Sequence, residues 1–471
     1  MALPVLNLAQ MRAWENDTWA SGQTEMRVIE RVGQALAEQV ISLTNENDPV
    51  LILAGRGHNG DDARAALPHL STRRCVCLNI AEPTAQLAEL RVALTHRPKL
   101  IVDALFGVGL SRPLDEAWQS FVAEINSANR PVLAVDVPSG LDVETGQPSG
   151  AAVRAARTLT IGAPKMGLLK PTAWPYIGRL EVTPEVGLLP CPPFDCELRW
   201  IEASDFLDFP PPRGVAEHKG SFGHLAIVAG SEGFHGAAVL ATHSAQRAQP
   251  GLVTLHALPE AYWPIAAQLQ GAMVRPWSAE TTLTKNFSAV LVGPGLATTQ
   301  AAEAMSMITR KLWRDLTCPL VVDASALDWL PSDPVPKGVI RVITPHPGEA
   351  ARLLKTTAER IQENRTEALR EISRRFSDCW VVLKGHQTLI GRSRGEIAVN
   401  SSGNPQLAQG GTGDALAGYL AGLLAQPRLQ AEPERTLRFA VWQHGATADK
   451  LSANRRNWVV EELVSELGNA G

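Results

Sequence analysis

The chain has 471 residues, 45% hydrophobic and 20% charged, with a formal net charge of -4. That length exceeds one ordinary core and suits two domains, and the balance of charge leaves no basic surface for nucleic acid. No apolar run approaches the roughly 18 residues of a membrane span, the first twenty residues carry no signal-peptide core, and six scattered cysteines without zinc-site spacing read as reduced thiols of a cytoplasmic protein.

Short apolar runs alternate with helical patterns along the whole chain, which predicts βα units and largely parallel sheets. In the first half, strands are expected at residues 50–54, 100–102, 132–135 and 158–161. The first leads into "GRGHNGDDA", residues 55–63. A glycine-rich loop between strand and helix usually cradles a phosphate on free N–H groups. Asp61 and Asp62 would repel one. The G-x-G-x-x-G spacing is weak by itself, and no ribose-binding acid follows at the right strand end. Later strand ends carry oxygens: Asp103 in "VDALFGVGLSRP", then Asp136 and Ser139 in "AVDVPSGLD". If these strands are neighbours, Asn59, Asp103, Asp136 and Ser139 meet in one crevice, and such donors suit a hard cation. The alternative is that Asp103 and Asp136 only cap the turns that follow them.

The proline-rich stretch "CPPFDCELRWIEASDFLDFPPPRG" breaks the pattern, which places a boundary near residues 210–213. The expected division is residues 1–205, a linker at 206–213, and residues 214–471. The second half restarts with "HKGSFGHLAIVAGSEGFHGAAVLA", a strand and glycine-rich loop before a helix start at Ala237. Strands are also expected in "GLVTLHAL", "AVLVGPGLA", "PLVVDASAL", "VIRVITPHPGEA" and "CWVVLKGHQTLI". Their ends present Asp323, His346 between two prolines, Glu349, and Lys384 ahead of Gly385. The strongest local signal is "NPQLAQGGTGDALAGYLAGLL". Its glycines precede a helix whose N–H groups form an anion hole, and its small residues let the helix approach a sheet or ligand. Asp414 beside a transferring phosphate makes sense as a base that deprotonates an attacking hydroxyl. The alternative is an ordinary first-turn acid facing the helix dipole.

The second half resembles the ribokinase-like superfamily. More narrowly, "HKGSFG", "GPGL", "TPHPGE", "VLKGHQT" and "NPQLAQGGTGDALAG" resemble the ADP-dependent NAD(P)H-hydrate dehydratases. The Asn-Gly-x-Asp loop, "DALFGVGL" and "DVPSGLD" resemble the NAD(P)H-hydrate epimerases. Together they follow the bifunctional NAD(P)H-hydrate repair family over nearly the whole chain. The resemblance implies a Rossmann-like α/β/α domain followed by a ribokinase-like α/β/α domain. It implies epimerisation of the R and S hydrates of NADH and NADPH in the first, and ADP-dependent dehydration of the S hydrate, giving AMP and phosphate, in the second. Carried over by position, the epimerase binds hydrate through His58, Asn59, Gly60, Asp61, Asp62, Gly107, Val108, Gly109, Leu110, Ser111, Arg112, Pro113 and Asp136. Potassium falls to Asn59, Asp103 and Ser139. The dehydratase binds hydrate through Ala237, Gly295, His346 and the catalytic Asp414. The adenine nucleotide falls to Lys384, Gly385, His386, Gln387, Thr388 and Gly413, with magnesium neutralising developing charge. A homo-oligomer is expected.

The opening loop departs from the family's Gly-x-Gly-Asn-Asn-Gly-Gly-Asp-Gly: His58, Asp61 and Ala63 replace Asn, Gly and Gly. If the family glycine at 61 has positive φ, Asp61 is strained there. Two other readings stay open: a ribokinase-type kinase of a vitamin-like alcohol, which would also use Asp414, and a first half that senses or regulates rather than catalyses.

Overall fold

Two interior strands of the first sheet, "PVLILA" (Pro49–Ala54) and "VLAV" (Val132–Val135), are continuous apolar runs buried almost throughout, as a parallel sheet covered on both faces requires. The computed structural model describes residues 2–110, 112–278, 280–283, 286–297 and 302–470. It separates into two compact units, Leu3–Cys196 and Glu197–Gly471.

In the first unit, six parallel strands of the described residues lie in the order Arg74–Asn79, Pro49–Ala54, Leu100–Ala104, Val132–Val135, Arg157–Ile161, Arg179–Thr183. The four expected strands are present. The two missed ones are the edges. "RCVCLN" and "RLEVT" mix charges with apolar residues because an edge has solvent on one side. The chain runs outward from Pro49–Ala54 to Arg74–Asn79 and then crosses back to Leu100–Ala104. At that reversal the loops following Pro49–Ala54 and Leu100–Ala104 part, which opens a crevice at the carboxyl ends of the strands.

The second unit carries the order Leu198–Ile201, Ile397–Asn400, Leu389–Gly391, Trp380–Leu383, Arg341–Ile343, Leu320–Val322, Ala289–Val292, His224–Val228, Leu252–Ala257, Met273–Pro276. Leu389–Gly391 is antiparallel to both its neighbours and the other pairings are parallel. All the strands expected in this half are found, and Leu198–Ile201, Met273–Pro276, Leu389–Gly391 and Ile397–Asn400 are added.

The division falls earlier than the proline-rich stretch suggests. Leu198–Ile201 already pairs with Ile397–Asn400. Residues 206–213 are not a free linker, because Phe206 and Phe209 are buried with ring centroids 5.4 Å from Phe439. Proline disrupts periodicity, but aromatic side chains still anchor the segment to the second unit.

The small residues of Thr412–Leu424 serve a neighbour other than sheet or ligand. A Cβ on Gly418 would stand 2.0 Å from the Ala241 carbonyl oxygen, and one on Gly422 would stand 2.6 Å from that of Ala245. The helix therefore lies backbone to backbone against His235–Arg247. That contact sets Asp414 and Ala237, both in first turns, at the same end of two touching helices.

Candidate active sites

The opening loop is short. Gly57 caps a helix, His58–Ala66, that begins almost at once after the strand. Its glycines admit backbone rather than phosphate: a Cβ on Gly55 would stand 2.1 Å from the Leu105 oxygen, and one on Gly60 would stand 2.0 Å from the Gly55 oxygen. Asp61 is helical and has no positive φ, so the expected strain is absent. It makes an i,i+3 ion pair with Arg64 at 2.7 Å and complements the helix N-terminus.

Asn59, Asp103 and Ser139 come together as expected. Asp103 is fully buried and receives the Ser139 hydroxyl at 2.6 Å and its backbone N–H at 2.8 Å. The Phe106 N–H donates to Ser139 Oγ at 2.9 Å. The Asn59 amide reaches the carbonyl oxygens of Phe106 and Val135 at 3.0 and 3.1 Å. Asp103 thus bridges two strand ends, and its own turn contact, from the Leu105 N–H, is the longer at 3.4 Å. Burial pushes its carboxyl up to about 6 although the Ser139 donors favour the anion. A buried carboxylate met by neutral donors, ringed by carbonyl oxygens, suits a singly charged hard cation.

The crevice beside this cluster has a volume of about 540 Å³. His58, Asn59, Asp62, Asp136, Arg112 and residues 107–110 line it; Gly60, Asp61 and Pro113 do not. Ser111 lies outside the described residues. Asp62 is held well above the usual carboxylate range, first by burial and then by Asp136 and Asp61. Asp136 has a positive φ of 63° and meets a residue that the sequence reading missed. Lys165 is 1% exposed, and its ammonium lies 2.5 Å from Asp136 Oδ1, 2.7 Å from the Ile161 oxygen and 3.0 Å from Thr160 Oγ1. The available signal was "GAPKMG", a lysine in the turn after a strand that neighbours the strand of Asp136. Glu15, also missed, lines the crevice, and burial raises its carboxyl against the pull of Lys165.

The second site lies where the helices Thr412–Leu424 and Pro347–Leu354 begin. Gly411, the N-cap, has φ 91°, and Asp414 is in the first turn. Burial raises the Asp414 carboxyl to about 7; Asp323 and Glu349 add to this and Lys384 opposes it. The Lys384 ammonium lies 2.8 Å from Asp323 Oδ1 and 3.7 Å from Glu349 Oε2, and a Cβ on Gly413 would stand 3.4 Å from it. Burial opposes the lysine's charge, yet Asp323, Glu349 and Asp414 outweigh it and raise its pKa. Lys384 is thus one ammonium among three acids, against the glycine turn. His346 caps the Pro347–Leu354 helix: its Nδ1 accepts from the Gly348 and Glu349 N–H groups at 3.0 and 3.3 Å, and Glu349 returns a bond to the His346 N–H at 2.7 Å. Burial lowers the His346 pKa, which favours the neutral ring that this capping needs.

Gly295 and Ala237 adjoin, a Cβ on Gly295 standing 3.1 Å from the Ala237 Cβ. Ser231 Oγ donates to the Gly295 carbonyl at 2.6 Å. The turn 384–388 is tied from below by the buried Arg365, another residue missed in the sequence. Its guanidinium donates to the carbonyls of Leu383 at 3.1 Å, Lys384 at 3.4 Å, and His386. Gly385, at φ 135°, lies over that guanidinium, Gln387 has φ 51°, and Thr388 Oγ1 closes the turn onto the Gly385 carbonyl at 3.0 Å. Among the described residues no group of three or more His, Cys, Asp or Glu forms a metal cluster, and no helix is long and apolar enough to cross a membrane.

Two units built on largely parallel sheets, each with acids gathered beyond the strand ends, define a two-site α/β enzyme. A family model described as NAD(P)H-hydrate dehydratase matches residues 225–467, and one described as YjeF-related protein N-terminus matches residues 25–167. The bifunctional NAD(P)H-hydrate repair enzyme of Gloeobacter violaceus is 34% identical over 99% of this chain and 97% of its own. That of Coxiella burnetii is 32% identical over 94% and 93%. The crystal structure of the ADP/ATP-dependent NAD(P)H-hydrate dehydratase from Bacillus subtilis, co-crystallised with ATP/Mg2+, is 30% identical, with a TM-score of 0.50 over 55% of this chain and 92% of that one. The chain belongs to the family of bifunctional NAD(P)H-hydrate repair enzymes.

Proposed function

We propose that the chain interconverts the R and S hydrates of NADH and NADPH in the crevice of its first unit, and that its second unit spends ADP to dehydrate the S form. The observation that carries the reading is Asp414, a carboxyl raised to about 7 in the first turn of the helix after the glycines, beside Lys384. A base near the working pH is where proton transfer is most effective. Asp414 takes the proton of the hydrate hydroxyl, whose oxygen attacks the β-phosphorus of ADP. AMP leaves. Phosphate then departs with the former hydroxyl oxygen, and loss of a ring proton restores the double bond. Residues 410–413 offer backbone N–H groups to the phosphates, and Lys384 a positive charge. Ala237, Gly295 and His346 form the side facing the hydrate, and the turn 384–388 the side facing the nucleotide.

Magnesium supplies positive charge against the phosphates when bound. Three acids against one ammonium leave room for it, and Asp323 and Glu349 would hold it. So small a donor set suits an ion carried in on phosphate oxygens. Consuming S hydrate with one ADP per reduced nucleotide formed, and one AMP and one phosphate released, tests this half. A phosphorylated product that accumulates instead would favour a kinase.

Lys384 ties the two roles of the site together. Its charge holds the Asp414 pKa down. Lys384→Ala should therefore move the acid limb of the dehydratase pH profile above 7 and raise the ADP requirement more than the hydrate requirement. An unshifted limb with equal effects on both substrates would contradict the assignment.

In the first unit, Asp136 and Lys165 hold and move the proton needed at the ring hydroxyl as it leaves one face and returns to the other. Potassium, when bound, supplies charge that fixes the strand-end loops, and Asn59, Asp103 and Ser139 would hold it. R-hydrate conversion should be faster in potassium than in an equal concentration of lithium, and Asn59→Ala should abolish the difference. Equal rates in both salts for the unchanged protein would remove potassium from the account. All six cysteines are free, which supports a cytoplasmic enzyme. We also propose that the enzyme works as a homo-oligomer.

A further inference from the structure

A separate cavity of about 310 Å³ opens in the second unit, where the helices His235–Arg247 and Thr412–Leu424 end. From Asp414 to Leu423 the helix spans roughly 14 Å at its usual rise per residue, so this cavity lies at the opposite end from the base. Its floor is apolar: Ala248, Leu423, Leu429 and the Phe439 ring, all buried. One polar group interrupts it. Tyr419 is 2% exposed and lines the cavity, and its hydroxyl makes no hydrogen bond to a described residue.

The rim carries Arg213, Arg247 and Arg428. Arg213 is fixed, its guanidinium 3.8 Å over the Phe222 ring and bonded to the Gln249 carbonyl. Arg428 donates to the Pro212 carbonyl at 3.3 Å and lies 3.8 Å from Glu217. The Arg247 side chain makes no ion pair or hydrogen bond to a described residue. Holding residues 210–213 to the helix ends accounts for Arg213 and Arg428, but it assigns nothing to Arg247 or to the Tyr419 hydroxyl. Neither group has a part in the dehydration.

An apolar floor that includes the Phe439 ring, a phenol donor and guanidinium forks complement a flat apolar molecule that ends in an anion. The carbonyl ends of two helices and Glu217 offset part of the arginine charge, which favours a singly over a doubly charged group. We propose that this cavity is a binding site for a small, flat organic carboxylate.

The probe is 2-naphthoate, titrated by calorimetry into the full-length protein with ADP at saturation to fill the nucleotide site. Saturable binding is expected. Arg247→Ala and Tyr419→Phe should each weaken it by about tenfold or more, the effect of losing one good polar partner to a charged group. Arg247 is exposed and phenylalanine keeps the Tyr419 ring, so both variants should melt like the parent protein. The uncharged 2-naphthamide should bind at least about tenfold more weakly. The proposal is overturned if naphthoate does not saturate, if neither variant weakens it, or if inorganic phosphate or 2-naphthyl phosphate binds more tightly.

Discussion

Asp414→Asn should leave the fold and ADP binding in place and lower the turnover of S hydrate by on the order of 10² or more, the usual contribution of a positioned base. The asparagine is nearly isosteric, so the first turn of the helix and the anion hole stay as they are. What disappears is the only group in that turn able to accept the hydroxyl proton. The pH dependence gives an independent sign. The folded-state pKa is raised from 3.8 to about 7, so the unprotonated base is lost as pH falls through 7. The parent enzyme's kcat/KM for S hydrate should rise with pH to a plateau above that value, and the residual activity of the variant should not follow the same limb. Turnover near that of the parent would leave Asp414 as a first-turn acid facing a dipole.

Lys165→Met should abolish the advantage of the first unit, lowering R-hydrate conversion by on the order of 10² or more while S hydrate is still consumed. The ammonium is buried against Asp136 at 2.5 Å, and its removal takes the proton carrier from the crevice. Breaking a buried pair at one partner also costs about 3–5 kcal/mol of stability, so the single variant confounds folding with catalysis. The double variant Lys165→Met with Asp136→Asn separates them. Asparagine tolerates the positive φ at that position, can still accept the Ile161 N–H and leaves no buried charge unpaired. The double variant should therefore recover much of the stability, but it should remain as slow on R hydrate as the single variant. Melting curves and R-hydrate kinetics on the parent and both variants check this. A double variant that regains R-hydrate conversion would show that the pair only supports the fold.

The central strands were legible because a strand buried on both faces must be apolar throughout, as in "VLILA" and "AVLVG". The edges Arg74–Asn79 and Arg179–Thr183 were not, because solvent on one face permits charges that erase the run. The unit boundary was misplaced for a related reason: prolines announced a break, while the packing of Phe206 and Phe209 on Phe439 is a long-range contact that local pattern does not report. The convergence of Asn59, Asp103 and Ser139 followed from each standing at the carboxyl end of a parallel strand or in the segment just after it, where the topology itself gathers them. Lys165 and Arg365 escaped notice because a lone basic residue ordinarily marks solvent. Their roles rest on burial, one against Asp136 and the other beneath the carbonyls of residues 383–386. Asp61 shows the reverse: its departure from the family pattern looked costly in a loop, but in a helix it is an ordinary acid paired with Arg64.

Repair of both hydrates by one chain can be read in a single assay: the full-length protein is given an R and S mixture of hydrated NADH with ADP in potassium buffer, and the absorbance of reduced nicotinamide is followed. Recovery of the whole mixture is expected, beyond the S fraction and faster than uncatalysed epimerisation in a parallel sample allows, with one ADP consumed per NADH formed. Recovery that stops at the S fraction would contradict the role given to the first unit, and no recovery at all would contradict the role given to both.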